Sequence, residues 1–405
     1  MAGHGHAGRR GAAGRAAAGA RGRGRQGAAA DGPRRAAASQ AAAPARPRGR
    51  RVSSDVAVVI GTYDGERHVA EQLASVLAQT LPPAEVLVSD DGSTDATRSE
   101  VERVAAGSPV PVRWTSSGGR LGFADNFLTG AERTRARFVA FCDQDDVWHP
   151  TKLERMRAAL VEHGAVAAAH AVRLVDDAGR HTGDDDQGIT RTRPAARLTG
   201  DPWQKYFGFT LLFERWLLDV APRDQRGPDT HSPDRPLSHD RWVWFLASSL
   251  GTTVTVAERL AAYRQHGRQL YGSTGSTGGA AGRLEDLRDR ARHYAASAAS
   301  AGERAAFLAD VCRGRADLLA RGAVAERDVL DRASSRWQRL ADHYAARADL
   351  HAAEGRDRLR AAAGLLGAGA YRPYRDGGLG VRALVQDALG ASGLAALATV
   401  AAREA

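Results

Sequence analysis

Short apolar runs that end in polar or glycine-containing turns are the feature of this 405-residue sequence that most limits its fold. The run at 56–60 is apolar at every position and stops at Gly61. An uninterrupted run of this length is typical of a strand buried on both faces, as in a parallel sheet. Further strands are predicted over 85–89, 110–115 and 138–142.

Segments with helical spacing lie between these runs. From about Glu66 to Gln79, apolar residues recur at helical intervals, and Pro82 and Pro83 follow the segment. Another helix is predicted to start after Pro150 and to reach about His163. Strands that alternate with helices indicate an α/β fold, with a mostly parallel sheet flanked by helices. Ligands of such sheets bind beyond the carboxyl ends of the strands.

An acidic cluster follows the run at 138–142. Asp143, Asp145 and Asp146 lie within four positions, at the predicted carboxyl end of a buried strand. Burying this much negative charge without compensation is unfavourable, and a divalent cation held by carboxylates and substrate phosphates relieves it. An exposed acidic turn is the alternative interpretation.

A second acidic turn follows the run at 85–89. Asp90 and Asp91 precede Gly92, and a carboxylate can accept the imino hydrogen of a uracil or thymine ring. A plain turn with helix capping by Ser93 or Thr94 explains the same residues. Both acidic turns are expected at the same edge of the sheet, which favours one shared site.

The sequence resembles the family 2 glycosyltransferases of the GT-A fold, in the form common among rhamnosyltransferase-like members. Six segments in the order of that family carry the resemblance: IGTYDGE at 60–66, QLASVLAQT at 72–80, VSDDGSTD at 88–95, FCDQDDVW at 141–148, HDRW at 239–242 and YRQHG at 263–267. The resemblance covers about half of the chain. It implies an inverting, metal-dependent transfer of a sugar from a nucleoside diphosphate to a hydroxyl group.

The resemblance assigns a role to particular residues of the donor site. It implies that Thr62, Tyr63 and Glu66 line the nucleotide pocket, and that Asp91, with Asp90 beside it, contacts the base. Asp143 and Asp145 would form the D-x-D motif that binds the nucleotide sugar and a metal ion, Mg²⁺ or Mn²⁺.

Two later residues complete the implied machinery. Asp240 would be the general base that takes the proton of the acceptor hydroxyl as it attacks the anomeric carbon. His266 would be a further metal ligand or a diphosphate contact, with a purely structural histidine as the alternative. Arg120 and Lys152 are further candidates for diphosphate contacts, although both also suit solvent-facing or helix-capping roles. Sugar stacking by the tryptophans of 203–244 is less expected than core packing.

The chain divides into four predicted segments. Residues 1–51 form a disordered tail rich in Arg, Ala and Gly, and residues 52–270 form the GT-A domain. A linker of small residues is predicted over 271–282, and a helical C-terminal region over 283–405. The C-terminal helices could pack on the catalytic domain, mediate oligomerisation or contact a membrane surface.

Charge and cysteine content narrow the class of protein. The formal net charge is +10, but residues 1–51 alone contain 12 arginines and one aspartate, so the rest is nearly neutral. We therefore expect no specific nucleic-acid partner, although an Arg-rich tail keeps nucleic-acid binding as an alternative. Two distant cysteines imply no disulfide framework and fit a reducing compartment. No signal peptide or membrane-spanning helix is expected.

The expected partners are a nucleotide-sugar donor, either dTDP- or UDP-linked, and a cell-surface polysaccharide or lipid-linked glycan precursor. We expect a cytoplasmic protein and hypothesise peripheral association with the inner face of the membrane. An apolar helix face near the end of the chain suggests this contact: Leu384, Val385, Leu389, Leu394, Leu397 and Val400. A nucleotidyltransferase and an inactive nucleotide-sugar-binding scaffold are the alternatives.

Overall fold

A computed structural model describes residues 54–220, 223–229, 235–266, 290–314, 327–353 and 355–391. The predicted tail at 1–51 and linker at 271–282 lie outside the described residues. Within them, the predicted fold class is confirmed: a central sheet is flanked by helices, and further helices follow it towards the C-terminus.

One half of the sheet is parallel, as the apolar runs predict. Its strands are β1 (Val56–Thr62), β2 (Glu85–Asp90), β3 (Val112–Ser116) and β4 (Phe138–Asp143), in the order β3-β2-β1-β4. β1 pairs with both β2 and β4, so that Thr62 lies opposite Asp90 and Gly61 lies opposite Asp143. The two acidic turns therefore emerge at the same edge of the sheet.

The other half of the sheet is mixed, which the sequence pattern did not predict. It contains β5 (Val147–Trp148), β6 (Ala167–Val175), β7 (His181–Asp185), β8 (Arg193–Ala195), β9 (Leu212–Glu214) and β10 (Thr253–Arg264). β9 joins the two halves because it pairs antiparallel to both β4 and β6. β10 runs parallel to β6 and antiparallel to β5, which carries the end of β10 to the acidic turn after β4.

The helices around the sheet are α1 (Val69–Leu77), α2 (Thr97–Ala105), α3 (Phe123–Glu132), α4 (Lys152–His163) and α5 (His239–Leu250). The helices of the C-terminal region are α6 (Arg290–Gly314), α7 (Arg327–Ala352), α8 (Gly355–Gly367) and α9 (Val381–Ala391). Short 3-10 turns occur at 208–210, 215–219, 223–225 and 374–376. No helix among the described residues is both long and apolar enough to cross a bilayer.

Two apolar layers cover the sheet. Val58 and Ile60 of β1 pack into the layer that holds α1 and α4, whereas Val59 packs with α3 and α5 on the opposite face. Every residue of 56–60 is inaccessible to solvent. This two-sided burial explains why the run is apolar without alternation.

The C-terminal helices share a core with the catalytic half of the chain. Trp337 of α7 lies edge-on to Phe245 of α5, with ring centroids 5.4 Å apart, and its indole N–H donates to the Ser249 hydroxyl over 2.9 Å. Leu308 of α6 is buried in the same apolar cluster. Of the three roles left open for this region, packing on the catalytic domain is therefore observed.

Candidate active site

The loops after β1 and β2 are joined by hydrogen bonds at the edge of the sheet. Thr62 is buried, and its hydroxyl donates to Asp90 over 2.9 Å. The Asp90 carboxylate also accepts backbone N–H groups of the turn at 92–93. The Glu66 carboxylate accepts the N–H of Ala96, just before α2. Three predicted pocket residues therefore shape the loops with their side chains.

Asp91 positions the glycine-containing stretch that precedes α3. Its buried carboxylate accepts the N–H groups of Leu121 and Gly122, over 2.5 and 3.0 Å. In the same stretch, the Arg120 guanidinium lies 3.8 Å from the centre of the Tyr63 ring, which is partly exposed. Tyr63 and Arg120 thus form an accessible aromatic and cationic surface beside the two acidic turns.

Gln144, between the two aspartates of the D-x-D motif, holds the first loop in place. Its side-chain amide accepts the Tyr63 N–H over 2.9 Å and donates to the Tyr63 carbonyl over 3.1 Å. A Cβ at Gly65 would lie 2.2 Å from the same amide oxygen, so a side chain there would displace the Gln144 amide. The sequence interpretation assigned Gln144 no role. Its polar character between two acidic positions was the only signal.

Three carboxylates from two distant segments approach one another. Burial, together with the negative charges of Asp145 and Asp240, raises the pKa of Asp143 to about 7, against the opposing charge of Lys152. Within the described residues, no hydrogen-bond donor contacts the Asp143 carboxylate. Asp240 lies in the first turn of α5, almost one hundred residues after Asp143. The fold thus brings the predicted base close enough to the predicted D-x-D motif for their charges to interact.

Asp145 and His266 meet at the end of β10. The Nε2 atom of His266 lies 2.9 Å from an Asp145 carboxylate oxygen, and both side chains are largely buried. Carboxylate oxygens and an imidazole nitrogen are suitable ligands for Mn²⁺ or Mg²⁺. No group of three His, Cys, Asp or Glu side chains in the described parts of the chain is arranged to enclose a metal ion. A site with few protein ligands suits an ion that retains waters and binds substrate phosphates.

Arg264 connects β10 to the acidic turn. Its guanidinium donates to the Asp145 carbonyl over 2.9 Å and to the Glu71 carboxylate over 2.7 Å, and its backbone N–H donates to Asp146 over 3.1 Å. Arg264 is only 3% exposed, and Asp146 is 1% exposed. Asp146 is therefore anchored inside the protein and does not face a ligand. A basic residue at the end of a mostly buried strand was the available signal for Arg264.

Lys152 does not face the donor site, contrary to the possibility that it contacts a diphosphate. Its ammonium group donates to the Phe209 carbonyl over 2.6 Å and lies 3.6 Å from the centre of the Trp148 ring. Burial lowers the pKa of Lys152 to about 7, opposed by nearby Cys142 and Asp146. Neither the solvent-facing nor the capping alternative applies. The lysine lies beneath the acidic turn, within the protein.

His239 packs among apolar side chains and thereby fixes the position of its neighbour Asp240. Its ring stacks on Phe127 with centroids 4.4 Å apart and meets the edge of Phe141 at 4.8 Å. A Cβ at Gly208 would lie 2.2 Å from the His239 Nε2 atom, so no side chain fits at position 208. The start of α5, and with it Asp240, is thereby held against α3 and β4.

The predicted site residues form two neighbouring groups. Asp143, Asp145, Asp240 and His266 come together around the acidic turn, whereas Thr62, Tyr63, Glu66, Asp90 and Asp91 form the joined loops beside it. Gln144 connects the groups through Tyr63. The tryptophans at 242 and 244 are buried in the core, as expected.

The loops beyond the carboxyl ends of the parallel strands carry acidic side chains and are joined by hydrogen bonds, which is typical of a ligand-binding α/β protein. Residues 57–219 match the family model described as glycosyl transferase family 2. The matched segment thus belongs to glycosyltransferase family 2, which supports the predicted family and transferase class. Asp240 and His266 lie beyond the matched residues, and only the fold brings them to the site.

Individual proteins are also similar to this chain. An uncharacterized glycosyltransferase of Nostoc sp. is 28% identical over 221 residues, which cover 52% of this chain and 65% of the Nostoc protein. The chain therefore spans slightly less than two thirds of that relative's length. An Escherichia coli protein, UDP-Glc:alpha-D-GlcNAc-diphosphoundecaprenol beta-1,3-glucosyltransferase WfgD, is 31% identical over 108 residues, covering 27% of this chain and 42% of WfgD. Among solved structures, S. aureus TarS 1–349 in complex with UDP aligns with a TM-score of 0.44 and 16% identity, over 84% of this chain and 90% of the TarS chain.

Proposed function

We propose that the protein is an inverting, metal-dependent glycosyltransferase that moves a sugar from a nucleoside diphosphate to an acceptor hydroxyl. The observation that supports this proposal is the convergence of Asp143, Asp145 and Asp240, with His266 against Asp145. Three crowded carboxylates at the edge of a parallel sheet are suited to a divalent cation, because the cation reduces their electrostatic repulsion and can also bind the oxygens of a diphosphate.

Each group would then have a distinct task. Asp145 and His266 would hold the divalent ion, with Asp143 beside it, and a bound ion would neutralise charge on the leaving nucleoside diphosphate. Asp240 would accept the proton of the attacking hydroxyl. A single displacement from the face opposite the leaving group inverts the anomeric carbon, so no nucleophilic side chain is required. Tyr63 and Arg120 would contact the nucleotide.

We propose a glycan precursor carried on a lipid diphosphate, or a growing cell-surface polysaccharide, as the acceptor. WfgD is similar in sequence, and its name describes a UDP-glucose donor and a lipid-diphosphate acceptor. A UDP-sugar is therefore the first donor to test, and dTDP-sugars follow from the rhamnosyltransferase-like motifs. No rhamnosyl specificity is assumed.

The test measures nucleoside diphosphate release from UDP-, dTDP- and GDP-sugars, with Mn²⁺ or with EDTA. We expect metal-dependent release from one donor, even without acceptor, and loss of that release in Asp145→Asn. Once an acceptor is found, Asp240→Asn should lower the transfer rate by about 10²–10⁴-fold while donor binding is retained, since only the base is removed.

Asp186→Asn is the matched control. Asp186 belongs to the acidic segment 184–186 and forms an ion pair with Arg259, outside the candidate site. It should retain release and transfer. If folded wild-type protein binds no nucleotide in calorimetry with metal present, the inactive-scaffold alternative replaces this proposal. Release that is equal in Asp145→Asn and wild type would contradict the assigned metal site.

We further propose that α9 contacts the membrane that carries a lipid-linked acceptor. Val381, Leu384 and Val385 share a helix face and are 67%, 37% and 51% exposed. The side chain of Leu389 and the residues Leu394, Leu397 and Val400 lie outside the described part of the chain. In liposome flotation, full-length protein should rise with anionic vesicles, and Val381→Ser with Val385→Ser should reduce this. Protein that stays at the bottom with anionic lipid would contradict the proposal.

A further inference from the structure

A groove of about 530 Å³ lies between α7, the turn at 374–377 and the segment after β8, and it shares no residue with the candidate active site. Most of its charged lining is cationic. Five arginines line it, against two aspartates: Arg197, Arg332, Arg336, Arg339, Arg375, Asp331 and Asp376.

Arg336 forms part of the groove and is the best-buried of these arginines. It is only 5% exposed, and its Nη1 atom is buried without a hydrogen-bond partner. Its Nη2 atom donates to the Tyr374 carbonyl. A buried guanidinium that retains an unused donor is unfavourable unless a further acceptor is supplied. The structure therefore leaves a strong donor unsatisfied within a cationic groove.

Arg339 adds a second positive charge one helical turn later. A Cβ at Gly377 would lie 3.7 Å from both the Arg336 Nη1 atom and the Arg339 Nε atom, so the two guanidinium groups converge on this glycine. Like charges three residues apart on a helix repel each other. Burial, followed by the charge of Arg339, lowers the pKa of Arg336 to about 10.

Two of the remaining arginines have acidic neighbours. Arg375 lies 3.7 Å from Asp376, and Arg332 lies 3.8 Å from Asp328. Arg197, Arg336 and Arg339 form no ion pair within the described residues. An anion in the groove would supply the missing acceptor and the missing negative charge together. Phosphate suits this task because planar guanidinium groups bind its oxygens in pairs.

We propose that this groove is a phosphate-binding site, separate from the donor site, that takes a phosphate- or diphosphate-bearing ligand. Arg336 and Arg339 bind the phosphate oxygens from α7, and Arg197 approaches from the catalytic domain. Because the groove includes residues of the catalytic domain and of the C-terminal helices, a bound ligand stabilises the contact between these two parts.

Calorimetric titration with inorganic pyrophosphate tests the proposal, using the full chain in EDTA at about 0.15 M salt, where weak surface attraction is screened. Arg339→Gln and Arg336→Gln should each weaken binding at least about tenfold. Arg360→Gln is the matched control, because Arg360 is an exposed arginine of α8 paired with Asp357. The control and Asp145→Asn should bind pyrophosphate as wild type does.

Arg339 is exposed, so its replacement leaves the core intact and keeps the test valid if Arg336→Gln is unstable. Unchanged binding in Arg339→Gln, equal weakening in Arg360→Gln or no binding in wild type would each overturn the proposal. Sedimentation with phosphatidylglycerol vesicles, against phosphatidylcholine vesicles, identifies the source of the phosphate. Sedimentation that depends on Arg339 indicates a lipid headgroup, whereas pyrophosphate binding without vesicle binding indicates a soluble phosphate compound.

Discussion

His239 is an ionisable side chain in apolar surroundings, so its protonation affects the stability of the folded protein. Phe123, Phe127 and Phe141 surround its ring, and neither ring nitrogen has a hydrogen-bond partner within the described residues. Burial lowers its pKa from 6.5 to about 4, with Asp240 opposing the shift and Arg226 adding to it. The folded protein thus holds this histidine neutral under conditions where the unfolded chain protonates it.

The stability of the protein should therefore fall in acid partly through His239. Above pH 6.5 the histidine is neutral in both states, so its contribution to stability is complete. As pH falls from 6.5 towards 4, only the unfolded chain takes up the proton, and up to about 3 kcal/mol is lost. Between about pH 7 and about pH 5, the free energy of unfolding measured with urea should fall by about 2 kcal/mol more in wild type than in His239→Gln.

One control variant makes this test specific. His149 is exposed, so His149→Gln should keep the pH dependence of wild type. Identical pH dependence in wild type and His239→Gln would show that His239 is protonated in the folded protein. Wild type and His239→Gln are each compared with themselves at the two pH values. The packing lost in His239→Gln therefore cancels from the change in its stability with pH.

At the scale of elements, the site depends on side chains that hold strands and loops to one another. Arg264 connects the end of β10 to the acidic turn, and Gln144 connects that turn to the loop after β1. Neither side chain was assigned a role from the sequence. Each acts by presenting donors or acceptors to the backbone of a distant segment, and no local pattern encodes that contact.

Replacement of Arg264 should destabilise the protein more than replacement of another arginine in the same strand. Arg264→Met leaves the Asp145 and Asp177 carbonyls without a donor and should lower the free energy of unfolding by about 2–4 kcal/mol. Arg259 of β10 forms exposed ion pairs with Asp184 and Asp186, so Arg259→Met should lose less than about 1 kcal/mol. Urea unfolding of both variants measures the difference, and equal losses would contradict it.

Replacement of Gln144 should weaken nucleotide binding with little change in stability. Gln144→Ala removes the two hydrogen bonds that hold the Tyr63 backbone, which should raise the Kd for the donor nucleotide about fivefold to tenfold. Calorimetry with Mn²⁺ measures this change. Gln338→Ala, which removes a surface hydrogen bond to Asp342, should bind as wild type does. A Gln144→Ala variant with unchanged affinity would show that this loop does not contact the nucleotide.

At the scale of the whole molecule, the catalytic half and the C-terminal helices are joined by one apolar cluster. Trp242 and Phe245 of α5 pack with Phe307 of α6 and Trp337 of α7. The guanidinium of Arg304 lies 4.7 Å from the centre of the Trp337 ring and is buried with it. The helix that carries Asp240 is thus supported by residues far beyond the family match.

The catalytic half and the C-terminal helices should therefore unfold together. Trp337→Ala removes a fully buried ring and should lower stability by about 3–5 kcal/mol. Hydrogen exchange of α5 should rise as well as that of α7, because the two helices share this ring. Trp114→Ala is the control, since Trp114 is only half-buried on the edge strand β3. Faster exchange confined to α7 would indicate that the two parts unfold independently.

Sequence periodicity determined the parallel half of the sheet, because buried strands and amphipathic helices leave regular apolar patterns. It also located the two acidic turns, since turns after such strands meet at one edge. The motifs indicated the family, and the match over residues 57–219 supports it. The C-terminal helices were recognised as helices, but their packing partner was left open.

Only the tertiary structure decided which polar side chains act at a distance. It brought Asp240 and His266 to the acidic turn, buried Lys152 beneath it and assigned Gln144 and Arg264 to hold its loops. It also added antiparallel strands to the sheet and formed the arginine groove. The physical reason is that local patterns record whether a residue is buried, whereas the partner of a buried polar group depends on contacts between segments distant in the chain.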